Sequence, residues 1–353
     1  TWQSASSSAT ITCGPLYQIH QRSTIGGCEV RCTPRLLAAV TWTFLLANQT
    51  LGEDWPQWRG PTRDGIWTET GLVQKFDSPQ LARKWSVRIG PGYSGPSVAD
   101  GRVFITDRQT EPKQVERILC FKESDGSRLW AHTYDCPYVG ISYMAGPRAS
   151  VTIDEDRAYA LGTMGHIHCL DAASGEVRWK RDLNAELPIR MPGWGIAGAP
   201  LIHQNLVILH IGGRDGACVV ALNKLTGAEE WRALDERASY TAPILVQQAG
   251  RPVVIAWTGD SLSGLDADTG EVHWRIPFPP TRMPIGIATP IVEAYRVYVS
   301  SFYDGSLMVE LSQDRLAAKK VWSAVGPIDR RTEAFQTIIS TPVMMDIYIY
   351  GVD

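Results

Sequence analysis

Four short patterns in the 353-residue sequence carry residue types that could do chemistry. Gly90-Pro91-Gly92-Tyr93-Ser94-Gly95 has the G-x-G-x-x-G spacing with which backbone amides cradle a dinucleotide pyrophosphate. That chemistry needs a helix to start after the glycines. Pro96 and a strand-like run follow instead, so nucleotide binding is set aside. Gly259-Asp260-Ser261-Leu262 offers a serine nucleophile, which works only on a sharp strand-to-helix elbow. Asp266-Ala267-Asp268-Thr269-Gly270 has the acidic start of a calcium loop. Such a loop wants Gly sixth and Glu twelfth; here Gly is fifth and the twelfth residue is Pro277. His166-Ile167-His168 places two imidazoles on one strand face, half of a metal site without a visible third ligand. His203 and His210 lack even that spacing. No position is therefore assigned a catalytic or metal-binding role.

Composition narrows the partners. Lys plus Arg is 34 against 37 Asp plus Glu, a net charge of -3, whereas phosphate-neutralising nucleic-acid binders carry a basic excess. Seven cysteines include no Cys-x-x-Cys and no adjacent pair, so zinc and thioredoxin-like chemistry are unsupported. Cys120, Cys136, Cys169 and Cys218 leave room for one disulfide in an exported protein, without identifying the pair. Thirteen Trp against seven Phe, with 32 Gly and 22 Pro, point to a turn-rich β protein.

The elements that must position any site emerge from an internal repeat. Cys120 to Trp130, Cys169 to Trp179, Ala221 to Trp231 and Gly264 to Trp274 share one grammar, with Gly four residues before the Trp. A looser copy runs from Leu311 to Trp322, and an orphan ending precedes Trp85. The tryptophans at 85, 130, 179, 231, 274 and 322 are spaced 45, 49, 52, 43 and 48 apart. Upstream of each lie paired β-branched runs such as Gly198–Ile202 with Leu206–Leu209, and Thr289–Val292 with Arg296–Val299. Four short antiparallel strands per unit, with no long helix, predict an all-β fold: a propeller of four-stranded blades. The hairpin between the last two strands needs a positive φ at its Gly. Each Trp is expected to stack on the neighbouring blade where Gly leaves the backbone bare. Aligning Tyr159–Trp179 with Val254–Trp274 gives 8 identities in 21 positions and sets Ser261 opposite His166 in a blade turn. A blade turn has no nucleophile elbow.

The core at 169–179 and 264–274, [Cys/Gly]-Leu-Asp-Ala-x-[Ser/Thr]-Gly-Glu-Val-x-Trp, resembles the tryptophan-docking repeat of the pyrroloquinoline-quinone (PQQ) propellers. That superfamily includes quinoprotein alcohol dehydrogenases and the propeller lipoprotein of outer-membrane β-barrel assembly. Asp54-Trp55-Pro56-Gln57-Trp58-Arg59-Gly60-Pro61, with Arg63-Asp64-Gly65, is similar to the start of exported PQQ-like propellers of planctomycete-type bacteria. The resemblance implies seven or eight blades. Five full units follow Trp85 and a sixth opens at Ser340-Thr341-Pro342-Val343, so five to six blades are expected within a longer, C-terminally truncated ring. The orphan Trp85 strand should complete the last blade. Quinoprotein dehydrogenases clamp PQQ between a tryptophan and an adjacent-cysteine disulfide, hold calcium with Glu, Asn and Asp, and use an Asp base. No Cys-Cys pair exists here, so none of those roles transfers to a position of this chain.

Arg31 and Arg35 followed by the apolar run Leu36–Ala47 match the n- and h-regions of a secretory signal. The alternative is a buried helix opening a domain; the run is too short to span a bilayer, which takes about 20 residues. No Met precedes Met144. Residues 1–52 are thus expected to be an upstream extension with a signal peptide, and 53–353 the propeller domain, exported to the periplasm or beyond. The connections from one Trp strand to the next blade vary in length and share one face. They carry Tyr138, Tyr143, Arg148, Arg190, Trp194, Tyr240, Arg282, Arg330, Arg331 and Phe335. Aromatic residues and arginines on rigidly held loops suit recognition; as plugs sealing the ring they are equally well explained. Tyr143, Arg148, Arg190, Trp194, Tyr240, Arg282 and Arg331 are the binding candidates. Three functional readings follow: a non-catalytic exported propeller binding protein, peptide or cell-envelope polymer without a cofactor; a PQQ-dependent dehydrogenase with calcium; or an extracytoplasmic sensor domain of a larger protein.

Overall fold

In the computed structural model, residues 53–72, 74–75, 82–325, 336–337, 339–346 and 348–352 are described. The expected extension and signal peptide, residues 1–52, lie outside them, as do Arg330, Arg331 and Phe335. Blade 1 contains β1 (Ser97–Ala99), β2 (Arg102–Gln109), β3 (Val115–Lys122) and β4 (Arg128–Asp135). Blade 2 contains β5 (Thr152–Asp154), β6 (Arg157–Leu161), β7 (His166–Asp171) and β8 (Val177–Asp182). Blade 3 contains β9 (Leu201–His203), β10 (Leu206–His210), β11 (Val219–Asn223) and β12 (Glu229–Ala233). Blade 4 contains β13 (Ile244–Gln248), β14 (Arg251–Trp257), β15 (Ser261–Asp266) and β16 (Val272–Pro277). Blade 5 contains β17 (Ile291–Glu293), β18 (Arg296–Ser301), β19 (Gly305–Leu311) and β20 (Ala318–Ala324). A two-stranded sheet, β21 (Val343–Met345) and β22 (Tyr348–Tyr350), opens the sixth unit. Every sheet is an antiparallel meander in sequence order. The only helix among the described residues is the single turn α1 (Leu183–Glu186), capped by the Asp182 carboxylate.

Strand position within a blade determines side-chain pattern. The third strand is covered by a neighbouring blade on each face, so β15 is buried at all six positions. The fourth strand lies outermost, and in β8 the pattern is exposed except at Trp179 and its last two residues. In all five blades the pairing of third and fourth strands slips by one residue beside the Trp. This β-bulge twists the outer strand and re-aims the indole toward the next blade. The residue opposite is small in four blades: Cys120, Cys169, Ala221 and Gly264.

The indoles land where the repeat predicts. A Cβ added at Gly126, Gly175, Gly227 or Gly270 would sit within 2.5–2.7 Å of Trp85, Trp130, Trp179 or Trp231 respectively. Those glycines have φ of +73°, +76°, +74° and +76°, the left-handed conformation the hairpin requires. Indole N–H groups close the contact: Trp85 to the Glu123 carbonyl at 2.7 Å, Trp130 to Ala172 at 3.1 Å, Trp179 to Lys224 at 2.9 Å. Trp231 is the exception, its N–H buried without an acceptor. Apolar clusters accordingly straddle neighbouring blades, each containing the docked Trp of the earlier one.

Blade 5 lacks the Gly, which is why its copy of the repeat is loose. Gln248 of blade 4 substitutes: its amide nitrogen donates to the Ala317 carbonyl at 2.7 Å, and its oxygen accepts the Trp274 N–H at 2.9 Å. Residues 82–96 form no strand among the described residues, although the Trp85 ring docks on blade 1. One expectation needs correction. Trp322 is 38% exposed, against 7–9% for the four indoles between it and Trp85, and contacts Tyr298 of its own blade. Replacing Trp179 by Ala should therefore cost about 3–5 kcal/mol in urea unfolding, and Trp322→Ala less than half of that. Equal losses at the two positions would show that inter-blade docking is not what the tryptophan contributes.

Candidate functional site

The opening segment, 53–65, runs across the inner strands and forms the base of the site. Trp55 exchanges backbone hydrogen bonds with Val98 of β1, at 2.8 and 2.9 Å. The Pro56 carbonyl accepts the Ile153 N–H of β5 at 2.8 Å. The Trp58 indole N–H donates 2.7 Å to Thr289 Oγ1, just before β17. Arg63 is buried, and its guanidinium donates to the Ala199 and Pro200 carbonyls before β9 and the Pro243 carbonyl before β13. Gln57 Oε1 accepts its Nε–H at 2.8 Å. Burial lowers its pKa to about 9. One thirteen-residue strap thus contacts all five complete blades.

Above the strap lies a cavity of about 350 Å³, in the size range of small-ligand sites. Trp58, Tyr93, Tyr143, Trp194 and Tyr240 supply aromatic walls; Ala197, Ala199, Ala242, Ile287, Ile339, Ser150 and Thr289 fill between them; Arg148 is the one charge. Trp194 and Tyr240 stack at 4.9 Å and 24°, and Tyr143 meets Trp194 edge-on at 5.3 Å and 86°. The Trp194 backbone N–H donates to Tyr240 Oη at 3.3 Å, and burial raises the Tyr240 phenol pKa. The Arg148 guanidinium lies 5.2 Å from the Tyr93 ring centre and donates to the Gly146, Ser142 and Tyr143 carbonyls and to Thr163 Oγ1. Burial lowers its pKa.

Of the candidates named from sequence, Tyr143, Arg148, Trp194 and Tyr240 converge on this cavity. Arg190 and Arg282 do not. Arg190 pairs with Asp235 at 2.7 Å, and Arg282 lies 4.8 Å over the Tyr303 ring. Each follows a surface partner rather than the axis. Tyr138 is buried behind the wall, sharing Glu116 with Tyr134. Sequence reasoning missed Trp58, Tyr93, Ser150, Ile287 and Thr289. Ser150 and Thr289 occupy equivalent places, each two residues ahead of an inner strand, a register the repeat already exposed. The Gly90–Gly95 run brings Tyr93 into place through backbone proximity: a Cβ at Gly90 would lie 2.4 Å from the Arg108 carbonyl, and Tyr93 N–H donates to the Pro147 carbonyl at 2.7 Å. Those glycines serve chain packing, in keeping with the rejection of a nucleotide site.

Comparison with known proteins decides the family. A model described as outer membrane protein assembly factor BamB, of the PQQ repeat type, matches residues 114–337. The chain belongs to this family. The outer membrane protein assembly factor BamB of Moranella endobia (strain PCIT) is 22% identical over 282 residues, covering 71% of this chain and 66% of that relative. The quinohemoprotein alcohol dehydrogenase of Comamonas testosteroni superposes with a TM-score of 0.52 at 15% identity, over 83% of this chain and 52% of its own. The chain thus spans about half of that enzyme. BamB from Moraxella catarrhalis gives a TM-score of 0.40 at 15% identity, over 76% and 82% of the two chains.

The BamB-family propeller also shows what its remaining reactive groups do. Ser261 Oγ donates to the buried Glu236 carboxylate, 2.8 Å to the nearer oxygen, and Ser261 is itself fully buried, so its hydroxyl is out of reach of a substrate. Asp266 accepts the Asp268 and Thr269 amides, each at 3.0 Å; Asp171 and Asn223 do the same in their blades, so the acidic segment is a turn device. The four described cysteines are buried and free, so the disulfide left open above is not formed among them. No group of three or more His, Cys, Asp or Glu among the described residues is arranged to hold a metal ion. Among the described residues the cavity wall carries no carboxylate or carboxamide side chain.

His166 and His168 do share a face of β7, packed against Tyr134. Burial, with His132, His166 and Lys180 nearby, pulls the His168 pKa down to about 3, and burial takes His210 to about 4. Unfolded, both would titrate near ~6.5. Their native forms therefore bind fewer protons, and stability present above pH ~6.5 falls as pH drops toward the native values, by up to about 1.4 kcal/mol per pH unit per histidine. Urea midpoints measured from pH 7 to 4.5 should decline, and His168→Gln should flatten that decline. An unchanged slope in the variant would place the proton on His168 in the native state.

Proposed function

We propose that this chain is an exported, non-catalytic β-propeller that docks a protein or envelope ligand at the loop-face mouth of its axis. The observation that carries the reading is the composition of the cavity: five aromatic rings, one arginine, and no acid, base or nucleophile set among its described residues. Such surfaces recognise more readily than they react. The BamB relatives are named as outer membrane protein assembly factors, which favours a protein partner. The Arg31–Ala47 segment favours export. No helix among the described residues is long and apolar enough to cross a membrane.

Two measurements test this. Trp194→Ala should weaken retention of purified envelope partners by tenfold or more, about 1.4 kcal/mol, while leaving the urea midpoint of the propeller in place. Titration with PQQ and calcium, followed by tryptophan fluorescence, should stay flat. Saturable, calcium-dependent quenching at micromolar quinone would replace the docking reading with the dehydrogenase one.

A further inference from the structure

Every polar side chain of the cavity can donate a hydrogen bond. Arg148 has no carboxylate within salt-bridge distance; four neutral oxygens hold its guanidinium. Thr289 Oγ1 accepts the Trp58 indole N–H and Tyr240 Oη accepts the Trp194 amide, so each hydroxyl is left with its own proton to give. A hydroxyl that already accepts is polarised and donates more strongly. The Ser150 hydroxyl has no side-chain or backbone partner among the described residues, and Ser150 itself is 2% exposed. Around these donors the wall is apolar. Acidic groups nearby are withheld from it: Glu116 lies behind Tyr138 and Thr163, which use its carboxylate from the far side. A cation with no carboxylate at contact distance, and hydroxyls with protons to give, set in an aromatic cup, complement an anion attached to an apolar group.

We infer that the cavity recognises a peptide carboxylate next to an apolar side chain, with the apolar group between Trp58, Trp194 and Tyr240 and the carboxylate toward Arg148. This rests on the docking reading above and names its ligand. The mouth is open, with Tyr93 52% and Tyr143 64% exposed, which admits a chain rather than enclosing a small molecule. At about 350 Å³ it takes roughly two or three residues. The carboxylate can come from a chain terminus or from an acidic side chain.

The test uses the full chain and three probes, with binding followed by tryptophan fluorescence and calorimetry: acetyl-Ala-Ala-Leu as free acid, the same peptide as C-terminal amide, and acetyl-Ala-Glu-Leu amide. The free acid should bind about tenfold tighter than its amide, the value of one charge-assisted contact. Arg148→Gln should abolish that preference while leaving the weak binding of the amide, and Trp194→Ala should weaken both peptides alike. Tighter binding of the Glu peptide than of the free acid assigns the carboxylate to a side chain; the reverse assigns it to a terminus. Equal affinity of acid and plain amide overturns carboxylate recognition and leaves apolar docking standing. No binding of any probe, with Trp194-dependent partner retention intact, overturns this inference alone; loss of both overturns it together with the docking reading. Circular dichroism and the urea midpoint of Arg148→Gln separate lost recognition from lost folding.

Discussion

An indole ring lying flat on bare backbone is the contact on which the rest of this molecule depends. No blade has a core of its own, because a four-stranded meander of this length buries both faces only between neighbours. The Trp of one blade and the hairpin Gly of the next fix that separation three times in succession, from Trp130 on Gly175 to Trp231 on Gly270, and Trp85 docks on Gly126 of blade 1 in the same way. Burying each ring contributes about 2–3 kcal/mol on area grounds. The bulge beside each Trp is part of the same device, since without it the indole would follow the pleat of its own sheet. Where the Gly is absent, in blade 5, the Gln248 amide spans the gap with directed hydrogen bonds in place of surface contact. The clamp can therefore be rebuilt from different chemistry, provided both the turn carbonyls and the indole N–H are satisfied.

The strap solves the second problem of the architecture, the axis. Segments ahead of each inner strand bring carbonyl groups toward the centre, where they have no sheet partner. Arg63 answers three of them at once with a planar, multi-donor group, which explains a buried guanidinium with no carboxylate at hand. The same strap lays Trp58 across the base of the cavity and pins it to Thr289. Stability and the cavity are coupled there, because the strap that closes the axis also floors the cavity.

How much of this was legible in the sequence follows from which physical signals repeat. The Trp–Gly spacing is periodic, so the blades, their strand order and the turn geometry at Gly126, Gly175, Gly227 and Gly270 could be read directly. The convergence of Tyr143, Arg148, Trp194 and Tyr240 was legible as a set of aromatic and cationic loop residues, though not as one cavity. Arg190 and Arg282 had the same local appearance. Their side chains went instead to Asp235 and Tyr303, partners 45 and 21 residues away whose proximity no local pattern encodes. Trp58 and Arg63 were visible within a motif, but a strap that crosses five blades reports its contacts only in three dimensions. β4 continues five residues past its Trp to Asp135, which puts His132 and Tyr134 in a strand.

Variation and constancy are divided along each blade for a mechanical reason. Each connecting loop starts just past a docked Trp and ends at a segment held against the axis, so both anchors are fixed whatever lies between them. Loop-closure cost rises only slowly with length, and the loop after Trp179 can hold α1 and the Trp194 turn without disturbing blade 3. Aromatic side chains suit such loops, since they bring large contact area with few rotatable bonds. Carboxylates near the face are committed to structure: Glu116 to Tyr134 and Tyr138, Glu236 to Thr258 and Ser261, Asp107 to Arg117. Among the described residues the cavity is thereby left with one cation, hydroxyls, rings and small apolar groups. A site made in this way has strong opinions about charge and weak ones about shape, which is what a docking surface for a flexible chain requires.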